Sequence, residues 1–156
     1  MLVTVTIKLT SPFLGSSKPN AEGIREIIKS DANKPTLFIK HFCKLCKRYA
    51  RELGIPNFKY NTINVPNFLK TTNEEIIYSK VVKDFDGSEK EEKFYAYPVG
   101  SIMTLECCVD TRIITVEKAV KILELIGKYS GISQFGVTKN FGRFDILLCQ
   151  SDNGNN

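Results

Sequence analysis

The fold is decided by residues 116–149, which read VEKAVKILELIGKYSGISQFGVTKNFGRFDILLC. Apolar residues recur at helical spacing from Val116 to Ile126, which predicts an amphipathic helix. Thr115 stands directly before this pattern, where it fits the role of N-cap. From Phe144 onward apolar and polar residues alternate, as is typical of a strand. A segment rich in glycine therefore joins a helix to the last strand of the chain.

The region before this helix contains further strand signals. Two extended runs within residues 76–97 flank Asp86 and Gly87, a dipeptide typical of tight hairpin turns. Residues 101–110 alternate again and predict another strand. Residues 55–70 contain two Pro-Asn steps and are predicted to form an irregular connection.

The first third of the chain combines strand and helix signals. Residues 2–10 alternate apolar and polar side chains as a half-buried strand does, and Pro12 ends the run. We expect a short helix over residues 21–29. Residues 37–53 carry a clear helical period, which Gly54 brings to an end.

The order of elements is strand, helix, strand, strand, helix, strand. This order predicts an α+β, ferredoxin-like βαββαβ fold, in which an antiparallel sheet of four strands lies on two helices and leaves its other face open. Residues 1–150 form the expected single domain. Residues 151–156 are too polar to pack and are expected to be a disordered tail.

Composition limits the classes of protein. The 156 residues are 42% hydrophobic and 25% charged, as in a soluble globular domain. No apolar run approaches the length of about 18 residues that a membrane span needs, and the N-terminus lacks the pattern of a signal peptide. Five cysteines, an odd number, fit a reducing compartment. We therefore expect a cytoplasmic protein without a membrane partner, and its net charge of +5 favours anionic partners such as nucleic acid.

Residues 127–143 combine glycines, cations and aromatic residues. Backbone amides and cations together can hold phosphates, and an aromatic ring can stack on a base. The alternative is a tight crossover in which the glycines serve packing alone. The spacing matches neither a P-loop nor a dinucleotide fingerprint, which argues against nucleotide hydrolysis and hydride transfer. The candidate binding residues of this segment are Lys128, Tyr129, Gly131, Gly136, Lys139, Gly142 and Arg143.

The predicted helix over residues 37–53 has a basic face. Its cations are Lys40, Lys44, Lys47, Arg48 and Arg51. Such a face is either merely solvated or a phosphate-contacting surface. We include Lys44 and Arg48 among the candidate nucleic-acid or nucleotide-binding residues.

Two features of the same helix invite a catalytic or metal role. Cys43 and Cys46 form a CxxC pair, but they lie in the middle of the helix, and zinc needs four ligands. The adjacent Cys107 and Cys108 should point to opposite faces of a strand. We therefore expect structural cysteines, no metal site and no cofactor.

His41 is the single histidine. A histidine can serve as general acid or base in a metal-independent ribonuclease, because its pKa lies near neutrality. The alternative is a surface histidine without a role. Asp84, Asp86, Glu89, Glu91 and Glu92 crowd the hairpin tip, where they promote solubility and form no paired-carboxylate site, so we assign no catalytic residue.

Residues 118–147, above all 125–135 and 140–145, resemble the C-terminal glycine-rich loop of the CRISPR-associated RAMP superfamily. Residues 7–16 resemble the first strand and its following loop in those proteins. A group of small bacteriophage proteins is also similar, in this opening and in a central segment like residues 38–44. The resemblance implies a ferredoxin-like fold that grips RNA or a nucleotide through the glycine-rich loop and the neighbouring sheet.

Three functions are considered, the first of which follows from this resemblance. The first is a phage-encoded, non-catalytic protein that binds RNA or a nucleotide and counteracts a host defence complex, either CRISPR or nucleotide signalling. The second is a metal-independent endoribonuclease of the CRISPR repeat-processing type, in which His41 would act with Tyr49 or Lys44, although no position here matches a catalytic residue of that group. The third is an oligomeric phage structural or interaction subunit, and the oligomeric state is left open.

Overall fold

Two β-sheets and two α-helices make up the described part of the chain, which in this computed structural model is residues 1–30, 33–132 and 141–152. The strands are β1 (Leu2–Leu9), β2 (Phe13–Leu14), β3 (Ile24–Arg25), β4 (Ile63–Asn64), β5 (Ile76–Lys83), β6 (Glu89–Tyr97), β7 (Ile102–Val109) and β8 (Phe144–Asp152). The helices are α1 (Ile39–Glu52) and α2 (Val116–Leu125), and a π-helical turn (Ile126–Ser130) continues α2. The predicted α+β class with an antiparallel sheet and two helices is confirmed.

The first sheet has the strand order β4-β7-β1-β8, and every pair in it is antiparallel. Because side chains alternate along a strand, β1 buries every second residue from Val3 to Leu9, and β7 does the same from Met103 to Val109. The buried faces of α1 and α2 share one apolar core with these residues. The helices therefore lie on one face of the sheet, an arrangement consistent with a ferredoxin-like fold.

The second sheet is built on β6. This strand pairs with β5 along one edge, and with β2 and β3 along the other. The predicted hairpin at Asp86 and Gly87 is confirmed, and the Asp84 N–H donates to the Ser88 carbonyl at 2.8 Å to close the turn. β5 and β6 are the two extended runs predicted within residues 76–97, but they join β2 and β3 in this second sheet, and the first sheet contains β4 instead.

The short helix predicted over residues 21–29 is wrong. The side-chain oxygen of Asn20 accepts the backbone N–H groups of Glu22 at 2.9 Å and Ile24 at 3.0 Å. Gly23 has a φ of 80°, outside the helical region, and the Asn20 N–H donates to the Ile24 carbonyl at 2.9 Å, which closes a tight turn in place of a helical one. The chain then enters β3 instead of a helix.

The connection over residues 55–70 is more regular than predicted. It contains β4, and further along Lys70 exchanges both backbone hydrogen bonds with Thr104, at 3.1 and 2.8 Å. Pro66 lies between the two pairings and has no N–H to donate, which accounts for the interrupted ladder.

The ends of the other elements agree closely with the sequence patterns. Thr115 caps α2 as expected, because its side chain accepts the Lys118 N–H at 3.2 Å. In contrast, β8 runs on to Asp152, so Ser151 and Asp152 pair with β1 although the sequence assigns them to the tail. The rest of that tail lies outside the described residues. Within the described part, no helix has the length and apolar character needed to cross a bilayer.

Candidate nucleic-acid interface

The exposed side of α1 carries the five cations predicted from the sequence, and all five are exposed. We call this surface the basic face: Lys40, Lys44, Lys47, Arg48 and Arg51. At 3.6 residues per turn these positions fall within an arc of about 100°, over a length of about 17 Å. The buried residues of α1, from Phe42 to Ala50, occupy the opposite arc. The amphipathic pattern of α1 therefore places its apolar residues in the core and its cations together on the exposed side.

The positive charge of the basic face is mostly unneutralised. Among the residues that the structure describes, only Arg48 of this face has a carboxylate within 4.0 Å, that of Glu52 at 3.7 Å. Both groups of this pair are well exposed, so the pair is weak. The first turn of α1 contains no acidic residue.

One flank of the basic face is formed by the π-helical turn. The Tyr49 hydroxyl lies 2.7 Å from the Ser130 hydroxyl oxygen and joins α1 to this turn. Ile132, two residues further along the chain, lies beside α1, because it lines a small hollow together with His41 and Phe42. Ile132 therefore lies next to the helix that carries Lys44 and Arg48.

The other flank is formed by residues 55–60, and sequence reasoning missed it. The Ile55 N–H donates to the Ala50 carbonyl at 3.0 Å, and the Cys43 thiol donates to the Tyr60 carbonyl at 3.8 Å. These contacts bring the half-buried Phe58 and the exposed Tyr60 alongside α1. The available signal was a pair of aromatic residues in a polar loop directly after a basic helix.

The described ends of the glycine-rich segment use their amides internally. The Gly131 N–H donates to the Ile126 carbonyl at 2.7 Å, and the Ile132 N–H donates to the Gly142 carbonyl at 3.1 Å. The Gly142 N–H donates to the Pro12 carbonyl at 2.7 Å. These amides are therefore not available to an anion, contrary to the cradle expected at Gly131 and Gly142. Gly136 and Lys139 lie outside the described residues.

Lys128 and Tyr129 are exposed on the π-helical turn and lie next to each other, with the Lys128 ammonium 5.3 Å from the ring centre of Tyr129. Both line a groove of about 440 Å³ between α2 and β8. The other charged residues of this groove are Lys121, Glu124 and Asp145. Cations and carboxylates are nearly balanced here, so the groove is less attractive to a polyanion than the basic face is.

Arg143 begins the return into β8. Its N–H donates to the Ser11 hydroxyl at 2.8 Å, and its carbonyl accepts the Thr10 N–H at 2.8 Å. The Nε atom is buried and has no hydrogen-bond partner among the described residues. A buried N–H group without a hydrogen-bond partner is uncommon in folded proteins, so we expect an acceptor to bind the Arg143 Nε–H group.

The remaining candidates divide into a titratable group and structural thiols. Partial desolvation of the imidazole, and then the nearby Lys44 ammonium, lower the pKa of His41, whose side chain still reaches the surface of α1. Burial raises the pKa of Cys46, and it raises the pKa of Cys107 to about 12. Residues 1–30, 33–132 and 141–152 contain no group of three or more histidine, cysteine or acidic residues arranged to hold a metal ion.

The open face of the first sheet differs from a base-stacking platform. The residues that β1 and β7 present there are Leu2, Thr4, Thr6, Lys8, Ile102, Thr104, Glu106 and Cys108. None of these side chains is aromatic, and sheet-based recognition of single strands depends on aromatic rings. The basic face of α1 is therefore the better interface.

One of three comparisons with known proteins found a similar fold. No protein-family model matches the chain, and no curated protein matches it. Among solved structures, it is similar to a chain in the cryo-EM structure of the type III-B Cmr-beta bound to cognate target RNA, with a TM-score of 0.64 and 11% sequence identity. The match covers 96% of this chain and 59% of that one, so this protein spans less than two thirds of that chain's length. At this identity the likeness concerns the fold alone, and it is consistent with the ferredoxin-like fold expected from the sequence.

Proposed function

We propose that the protein binds RNA on the basic face of α1. The observation that carries this proposal is the alignment of five exposed cations on one helix, of which only Arg48 is paired with a carboxylate among the described residues. Lys and Arg side chains on such a surface bind phosphates and release counterions, which drives association with nucleic acid. Lys44 and Arg48 lie within this face.

The glycine-rich segment assists the basic face through its side chains. Lys128 and Tyr129 offer a cation and a stacking ring, and the half-buried Arg143 adds a second cation. Lys139 is proposed as a further phosphate contact on the basis of its sequence alone. The fold supports RNA as the polyanion, because the similar chain belongs to a structure bound to cognate target RNA.

The test is the affinity of the variant K44Q/R48Q for a short labelled single-stranded RNA, measured by fluorescence anisotropy at several salt concentrations. Loss of two phosphate contacts is expected to weaken binding about tenfold at moderate salt. The slope of log affinity against log salt should flatten by about 1.4, since each contact on a single strand contributes about 0.7.

The matched control is K8Q/K70Q, which removes the same charge from the open side of the first sheet. This control should keep the affinity and the salt slope close to those of the unmodified protein. An unchanged affinity in K44Q/R48Q would reject the basic face, and a loss in the control alone would place the RNA on the sheet.

The finer roles expected from the resemblance belong to this proposal as well. An RNA or nucleotide binder encoded by a phage would act against a host defence system by sequestering a nucleotide signal or by occupying an RNA-guided complex. This role, and the alternative of an oligomeric phage subunit, rest on resemblance alone and stay predictions.

A second candidate function is metal-independent RNA cleavage, and His41 is the observation that favours it. Its lowered pKa keeps the imidazole neutral at pH 7, so it can accept a proton beside the cations Lys44 and Arg48. Tyr49 is a poor partner for it, because its hydroxyl is buried against Ser130.

Cleavage is tested by incubating labelled RNA with the protein in the presence of a chelator. If His41 is the base, H41A should abolish cleavage. The rate should fall as the pH drops through the lowered pKa, which lies below 6.5, because the protonated imidazole no longer accepts a proton. Intact RNA at every pH, or equal cleavage by H41A, would leave binding as the function.

A further inference from the structure

We propose that a hollow at the carboxyl end of α1 binds one nucleoside monophosphate unit, as a free nucleotide or as one nucleotide of an RNA strand. The hollow measures about 350 Å³. Its lining residues, which we call the α1-end hollow, are Lys47, Arg51, Ile55, Asn57 and Phe58. This inference rests on the proposed function for nucleic acid as the class of ligand, and it adds a defined subsite to it.

The cations of the hollow are placed for a single phosphate. Lys47 and Arg51 are one helical turn apart, so their Cβ atoms are about 5–6 Å from each other on the same side of α1. Neither has a carboxylate within 4.0 Å among the described residues. Arg51 can donate two N–H groups to one phosphate, and the Lys47 ammonium adds a second positive charge.

Hydrogen bonds at the carboxyl end of α1 make this end less repulsive to an anion. The carboxyl end of a helix carries partial negative charge on its unpaired carbonyls. In this protein the Ala50 carbonyl accepts the Ile55 N–H at 3.0 Å, and the Arg51 carbonyl accepts the Gly54 N–H at 3.0 Å. Pairing these oxygens reduces the repulsion that a phosphate meets beside α1.

The apolar side of the hollow suits a base. Phe58 is half-buried because it packs against the main core, and it also lines the hollow. A ring held in this way loses little freedom when a base stacks on it, and base–aromatic stacking is a common source of affinity. Ile55 is buried and adds apolar surface next to the ring.

Asn57 supplies the polar group that a base edge requires. Its backbone is held in the left-handed region, with φ at 61°, and its side chain is exposed in the hollow. A side-chain amide both donates and accepts hydrogen bonds, so it can pair with the edge of a base.

The size of the hollow sets the number of nucleotides. Small-molecule sites span about 300–1,000 Å³, and this hollow lies at the lower end of that range. It therefore has room for one nucleotide.

The test uses the fluorescent base 2-aminopurine, whose emission falls when it stacks on an aromatic ring. The chain contains no tryptophan, so the protein itself contributes little background emission. Three probes separate the sources of ligand: 2-aminopurine riboside 5′-monophosphate, a short RNA with the base at one end, and the same RNA with the base in the middle. Saturable quenching of any one of them is the expected result, and the probe that responds identifies the source.

The variants R51Q and F58L assign the quenching to the hollow. R51Q should weaken binding of the responding probe about tenfold, and F58L should remove most of the quenching because leucine keeps the apolar volume but not the ring. The control K8Q loses one charge on the far side of the sheet and should behave like the unmodified protein.

Two outcomes overturn the inference, and both are distinct from failure of RNA binding. One is RNA that binds by anisotropy while no probe is quenched. The other is quenching that R51Q leaves unchanged, a test that stands even if F58L does not fold. A protein with no anisotropy response to RNA, yet with quenching of the free nucleotide that depends on Arg51, would refute the proposed function and keep the subsite.

Discussion

The variant G15A is expected to lose about 3 kcal/mol of unfolding free energy, or to fail to fold. Gly15 follows β2, and its N–H donates to the Tyr95 carbonyl at 3.0 Å. A Cβ atom at this position would overlap the carbonyl group of Glu26 and the backbone nitrogen of Ile27. Because the obstacle is main chain, no change of rotamer relieves the overlap, and the segments that follow β2 and β3 along the same edge of β6 must move apart.

Urea unfolding followed by circular dichroism measures this loss. The control is G23A, because Gly23 has a φ of 80° but open space where its Cβ would lie. In G23A only the unfavourable backbone conformation of alanine should lower the unfolding free energy, by about 1 kcal/mol. Equal losses in G15A and G23A would show that the close approach at Gly15 is not maintained in solution.

The variant G131A is expected to lose a similar amount, about 3 kcal/mol, from two sources. Gly131 has a φ of 77°, in the left-handed region that disfavours alanine. Its Cβ would also overlap the Phe141 carbonyl oxygen and would lie 3.1 Å from the Arg143 nitrogen. Relief requires the two ends of the glycine-rich segment to separate, with loss of the Ile132–Gly142 hydrogen bond.

The same unfolding experiment tests G131A, and G23A again serves as the control because its φ differs by only a few degrees. The difference between the two variants isolates the close contact with Phe141. A loss in G131A no larger than that in G23A would mean that this contact is relaxed in the native protein.

Elements with a long, uninterrupted pattern could be predicted from the sequence. The helical period that ends at Gly54 gave α1 with its basic face, and alternation gave β1 and β7 within a residue or two. These elements pack against a single core, so each one shows its buried face as a periodic pattern in its own sequence.

Elements that depend on distant partners could not be predicted. β4 has two residues, and its continuation is interrupted at Pro66, so it exists only because β7 offers an edge. β3 is equally short and follows a turn made by the Asn20 side chain rather than by any periodic pattern.

The candidate site divides in the same way. The cations of α1 are visible in the sequence because they share one helix face. Phe58 and Tyr60 could not be assigned to that surface, since their position depends on how the chain turns after Leu53. The backbone hydrogen bonds of Gly131 and Gly142 could not be predicted from the sequence either. Ile126, which accepts from Gly131, lies outside the glycine pattern, and Pro12, which accepts from Gly142, lies far away along the chain.

The Ile132–Gly142 hydrogen bond closes the stem of the glycine-rich segment, and Gly131 packs directly against Phe141 just beneath it. This stem fixes the end of the π-helical turn against the residues that lead into β8. It is consequently a natural grafting point, at which loops from other proteins can be installed between Ile132 and Phe141.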